Sequence, residues 1–134
     1  MLYRLVKDSF IDTEAIGGGV VPIVGSATTF HVDIRPIDQA ISFILVLVNN
    51  DFVTGPQYQI YSSNGFPLVL YFGYVGIYRN TVASGNLFVF NFPPGTNRMN
   101  VIDYSRRVLP LYSDNFGLTI REVGDAVQII PVEI

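Results

Sequence analysis

Residues that break helices or form turns interrupt this chain about every ten positions, and that spacing constrains the fold more than any other feature. The breaks include Gly17-Gly18-Gly19, Asn49-Asn50-Asp51, Gly55-Pro56, Ser63-Asn64-Gly65, Ser84-Gly85-Asn86, Pro93-Pro94-Gly95 and Ser113-Asp114-Asn115. An amphipathic helix of three turns has no room between them. The intervening segments are rich in Val, Ile, Phe, Tyr and Thr, whose branched or planar side chains fit a pleated surface. They place candidate strands at 2–7, 20–24, 28–35, 41–49, 57–61, 66–78, 87–92, 98–104, 106–112, 118–123 and 126–130. The stretch 66–78 breaks at Gly73 or Gly76. Asn64-Gly65 predicts a two-residue type I′ turn, which needs positive φ at both positions and so joins 57–61 to 66–72 as a hairpin.

At 134 residues the chain is one domain. The expected class is all-β: an antiparallel β-sandwich or jelly roll of about eight strands, with short loops and at most one short helix. The one helical turn is expected over 9–14, ending at the three glycines. A variant of the same organisation makes residues 1–16 an N-terminal arm, with Gly17-Gly18-Gly19 as its linker.

The strands do not all alternate as strands in a lone sandwich should. In 28–35, Phe30, Val32 and Ile34 point one way while His31, Asp33 and Arg35 point the other, the pattern of a strand with one wet face. In 41–48, Ile41, Phe43, Leu45 and Leu47 line one face and Ile44, Val46 and Val48 the other, with Ser42 the only polar residue. The run 87–92 is similar, with Phe88, Phe90 and Phe92 opposing Leu87, Val89 and Asn91. Two sheets cannot bury both faces of several strands, so a neighbouring subunit is the simplest cover.

Composition points the same way. Only 14% of residues are charged, against about 25% in an average protein. Eight Lys and Arg against 11 Asp and Glu give a net charge of −3, and Lys7 is the single lysine. No basic stripe exists for a phosphate backbone, so nucleic acid is not an expected partner. Without cysteine there is no disulfide framework and no thiolate site. The run Phe43–Val48 is far too short for a spanning helix. Lys7 and Asp8 interrupt the start where a secretion signal would be apolar, so synthesis in the cytoplasm, with a final place in a virion, is the expectation.

Residues able to carry chemistry are few. His31 is the only imidazole, with Asp33 on the same strand face, but no Gly-x-Ser-x-Gly elbow accompanies them. Zinc would need three ligands from one histidine. No enzyme activity, cofactor or metal is expected. Tyr71, Tyr74 and Tyr78 could stack on a sugar, which makes a carbohydrate-binding or adhesin-type module the alternative. The reading favoured by the residues is a structural subunit of a self-assembling complex, such as a capsid, vertex or decoration protein of a virus or bacteriophage. It would pair with its own copies and with other subunits of the assembly. Interface candidates are Leu45, Val46, Tyr74, Tyr78, Phe88, Phe90 and Phe92, with the Arg106-Arg107 pair forming salt bridges across it. The apolar end from Gln128 to Ile134 suits a neighbour's sheet edge.

Overall fold

The computed structural model describes residues 1–8, 16–25, 29–35, 39–51, 55–78, 89–93, 99–103 and 105–134. Among these there is no α-helix, and the expected turn over 9–14 lies outside them. Thirteen strands are present among the described residues: β1 (Tyr3–Asp8), β2 (Ile16–Gly25), β3 (Thr29–Arg35), β4 (Phe43–Asp51), β5 (Gly55–Ser62), β6 (Leu68–Tyr71), β7 (Tyr74–Tyr78), β8 (Val89–Asn91), β9 (Asn100–Ile102), β10 (Val108–Pro110), β11 (Tyr112–Asp114), β12 (Gly117–Thr119) and β13 (Ile129–Glu133). All pairings are antiparallel, and the fold is an all-β sandwich of two sheets.

One sheet runs β10-β9-β8-β5-β4. The other runs β1-β2-β3-β7-β12-β11, with β13 beside β1 and β6 beside β7. Among the described residues two pairs join them, Tyr3 with Phe43 and the isolated bridge of Tyr61 with Pro67. The junctions follow from edge arithmetic, because a strand has only two edges. β13 lies along β1 from Tyr3 to Lys7, so β2 and β4 must divide the other edge and diverge. β7 is divided in the same way, with β6 on one edge and β3 and β12 sharing the other. At the β1 corner the strands pass from one layer to the other. The layers close over one core, in which Leu5, Val32, Val75, Leu118 and Ile129 of one sheet meet Phe43, Ile60, Phe90 and Val101 of the other.

Several expectations change. Gly17-Gly18-Gly19 lies inside β2 and is no linker, and β1 is a paired strand with Leu5 and Val6 fully buried, so residues 3–8 are not a detached arm. β13 runs on through Pro131 and pairs with its own β1, Leu5 opposite Pro131, instead of lying free for a neighbour. The polar side of β3 is not wet: Asp33 is buried and accepts a 2.8 Å hydrogen bond from Ser113 Oγ of β11, on a strand the sequence reads as a turn.

The turn at Asn64-Gly65 forms, but it is of a different type and leads from one sheet to the other: beyond it β5 meets the start of β6 only in the bridge of Tyr61 with Pro67, and the expected hairpin of 57–61 with 66–72 is not made. Gly65 N–H donates to Ser62 O (2.8 Å), Ser62 N–H donates to Phe66 O (2.7 Å), and Gly65 has φ +92° while Asn64 is not in the positive-φ region. This is a type I turn followed by a left-handed residue, a three-residue loop. The two-residue turn with positive φ throughout occurs instead at Phe72-Gly73 (φ 50° and 81°), where the long stretch 66–78 breaks.

Candidate interaction surface

β4 is the edge strand of its sheet. β5 lies along one side, and on the other side the only described partner is Tyr3, opposite Phe43. Across the sheet one row of paired residues runs Leu47, Tyr58, Phe90, Val101 and Leu109. Cross-strand partners share a face. Phe90 and Val101 are fully buried, Tyr58 is half-buried, and Leu47 at the edge is 54% exposed. Two residues back along the same face, Leu45 packs on the core and Phe43 is fully buried. The inner face of β4 is therefore Phe43, Leu45 and Leu47, and the opposing sheet covers only its first part.

The outer face carries Ile44 and Val46, paired with Tyr61 and Gln59. Val46 is 43% exposed. Val48 is the extra residue of a β-bulge between Leu47 and Asn49, has no β5 partner, and is 50% exposed. Three consecutive apolar side chains thus face solvent from both sides of one strand. Leu47 and Val48 were not among the residues singled out from sequence; the doubly apolar pattern flags the strand but not which end of it is left bare.

Of the other interface candidates, Phe90 is fully buried in the core of the chain and has no surface to offer a partner. Phe92 is half-buried, its ring edge-on to Tyr58 at 5.8 Å. Tyr78 is half-buried in β7. Phe88 lies outside the described residues. Arg107 pairs within its own turn, Nη2 2.8 Å from Asp103 Oδ2. The Arg107 backbone N–H, against the opposing effect of burial and with help from the guanidinium and Ser105 N–H, holds the Asp103 carboxyl below its ordinary range. That turn repeats the hydrogen bonding of Ser62–Phe66, with Arg106 N–H donating to Asp103 O (2.9 Å) and Asp103 N–H to Arg107 O (3.1 Å). Arg106 takes the place of Gly65 there, at φ 60°, and is exposed.

Tyr74 belongs to a second cluster. Its ring stacks on His31 (5.0 Å, 10°) and stands edge-on to Phe116 (6.3 Å), while His31 Nδ1 lies 3.0 Å from Phe116 O. A carbonyl can only accept, so Nδ1 carries the proton. The Tyr74 hydroxyl donates to Asp114 Oδ2 at 2.6 Å, and Arg121 Nη2 reaches the same oxygen at 2.9 Å. Burial by itself would raise the Asp114 carboxyl; the Tyr74 hydroxyl, the Phe116 N–H and Arg121 outweigh it and hold the group low. The hydrogen bond to Asp114 in turn raises the Tyr74 phenol. The hydrogen bonds of His31 Nδ1, Tyr74 and Asp114 tie the β11–β12 hairpin to β3 and β7. His31 and Asp33, paired as candidates in the sequence, have separate partners. Phe72 (86% exposed) and Phe116 (63%) sit at the two turn tips beside this cluster and are not signalled by any sequence pattern.

No group of three or more His, Cys, Asp or Glu suited to a metal occurs among the described residues. No described helix is long and apolar enough to cross a membrane. No protein-family model, curated protein or solved structure matches the chain.

Proposed function

We propose that this chain is a non-enzymatic structural subunit of a self-assembling complex, of the type that builds capsids, vertices or decorations of viruses and bacteriophages. One observation carries the reading: the outer half of β4 exposes Val46, Leu47 and Val48 on both faces of an edge strand. Exposed apolar groups gathered on one edge mark interfaces, and an unprotected edge is a template for pairing. Low charge supports it, since 14% charged residues leave large uncharged areas for neighbours to cover. The partners are further copies and other subunits of the same assembly.

The carbohydrate-binding alternative draws less support. One face of the Tyr74 ring is taken by His31 and its hydroxyl by Asp114, which leaves little of it for a sugar. Light scattering combined with electron microscopy of the purified protein tests the proposal. Mass that rises with concentration, and particles of uniform size, are expected. A monomer at every concentration overturns it.

A further inference from the structure

We infer that Asn64 is a site of spontaneous covalent modification, deamidation through a cyclic imide, and that Ser62 is the residue that restrains it in the folded chain. Asn64 is the only asparagine of the sequence followed by glycine. The chemistry favours that pair, because the next backbone nitrogen must reach the side-chain amide carbon and glycine has no Cβ in the way. Both residues are exposed at the turn. The Gly65 nitrogen attacks Asn64 Cγ, a C–N bond closes a five-membered imide, and the amide nitrogen leaves as ammonia with the proton that Gly65 gives up. Water then opens the ring. Opening at the side-chain carbonyl leaves aspartate; opening at the backbone carbonyl leaves isoaspartate, whose main chain is longer by one carbon atom.

The turn holds both reacting groups on Ser62. Gly65 N–H, whose proton must be lost, donates to Ser62 O at 2.8 Å, and Asn64 Oδ1 accepts from Ser62 Oγ at 2.8 Å. Ser62 Oγ also accepts from Phe66 N–H at 3.1 Å. Ser62 is only 3% exposed, so water competes little for these bonds. A hydroxyl on Oδ1 draws electrons from Cγ and by itself favours attack. The attacking nitrogen is bound as well, however, so reaction waits on local opening of the turn. An isoaspartate here would lengthen the loop between the two sheets, beside the Ser63 N–H bond to Ser42 O (3.1 Å) at the start of β4.

Incubating the unmodified protein at mildly alkaline pH, in buffer and in concentrated urea, tests this, with the peptide that contains Asn64 followed by mass spectrometry. In urea Asn64 should deamidate before any other asparagine. In buffer it should react at least about tenfold more slowly, since more than one hydrogen bond must open first. Ser62→Ala, shown to be folded by circular dichroism, should speed the reaction in buffer by about fivefold, the effect of one ordinary hydrogen bond. Ser62→Thr keeps the hydroxyl and should react at the unmodified rate. Another asparagine reacting first in urea overturns the assignment of the site. Equal rates in buffer and urea overturn the restraint, whatever the variants do. A Ser62→Ala rate no faster than the unmodified one, or a Ser62→Thr rate equal to that of Ser62→Ala, overturns the role of the Ser62 hydroxyl.

Discussion

Phe43 and Leu47 lie four residues apart on the same face of the same strand, yet one is fully buried and the other is more than half exposed. The difference is not in the residues, which are both large and apolar. It comes from the lateral extent of the opposing sheet, which covers β4 where Tyr3 joins it and stops short of Leu47. An edge strand can thus be core at one end and bare at the other, and a substitution should change meaning along its length.

The largest expected effect is at the covered end. Leu45→Lys buries an unpaired ammonium against the core and should cost several kcal/mol, enough to unfold a domain of ordinary stability. Val46→Lys, one residue on and facing outward, should leave the subunit folded. Circular dichroism melts of both compare the two directly, and a folded Leu45→Lys would break the assignment of faces. Phe43→Ala should cost about 3–5 kcal/mol, while Leu47→Ala in the isolated subunit should cost below about 1 kcal/mol. Denaturant unfolding at low protein concentration measures the gap between them.

The covered end is also tied down by the turn beside it, where Ser63 N–H donates to Ser42 O (3.1 Å). Gly65→Ala meets no atom but forces a side chain to positive φ, so a loss of about 1 kcal/mol is expected. Arg106→Gly, at the matching position of the other turn, should gain a similar amount. Equal melting temperatures for all three proteins would mean that neither turn is strained.

The smallest effect concerns pH and should be indifferent to β4. Asp114 has its carboxyl held low in the folded chain, so its contribution to stability is present above the unfolded carboxylate pKa near about 3.9 and is lost as pH falls through the lower folded value. Asp114→Asn should flatten the acid limb of the stability curve without altering mass. A change of mass would connect the His31 cluster to assembly.

How far the sequence alone reaches follows the same division between local and distant causes. Turn chemistry is local, so most of the strands and the turn at Asn64-Gly65 are legible in it, while β11 and the start of β2 are not. The turn type is not, because Asn64 and Gly65 allow either loop and the choice depends on how β5 and β6 align. Asp33 reads as wet because the β11–β12 hairpin that covers it comes some 80 residues later, Ser113 to Asp33. The apolar faces of β4 are plain in the sequence, but which end is bare depends on where another sheet stops. Phe72 in a left-handed turn runs against residue preference, and no pattern announces it.

The central claim is that the bare end of β4 holds copies of this chain together. Sedimentation velocity of the unmodified protein and of Val46→Lys, each over a hundredfold range of concentration, tests it most directly. The unmodified chain should sediment as an oligomer that grows with concentration, and Val46→Lys should sediment as a folded monomer throughout. An unmodified chain that remains a 14.9 kDa monomer at the highest concentration would contradict the account.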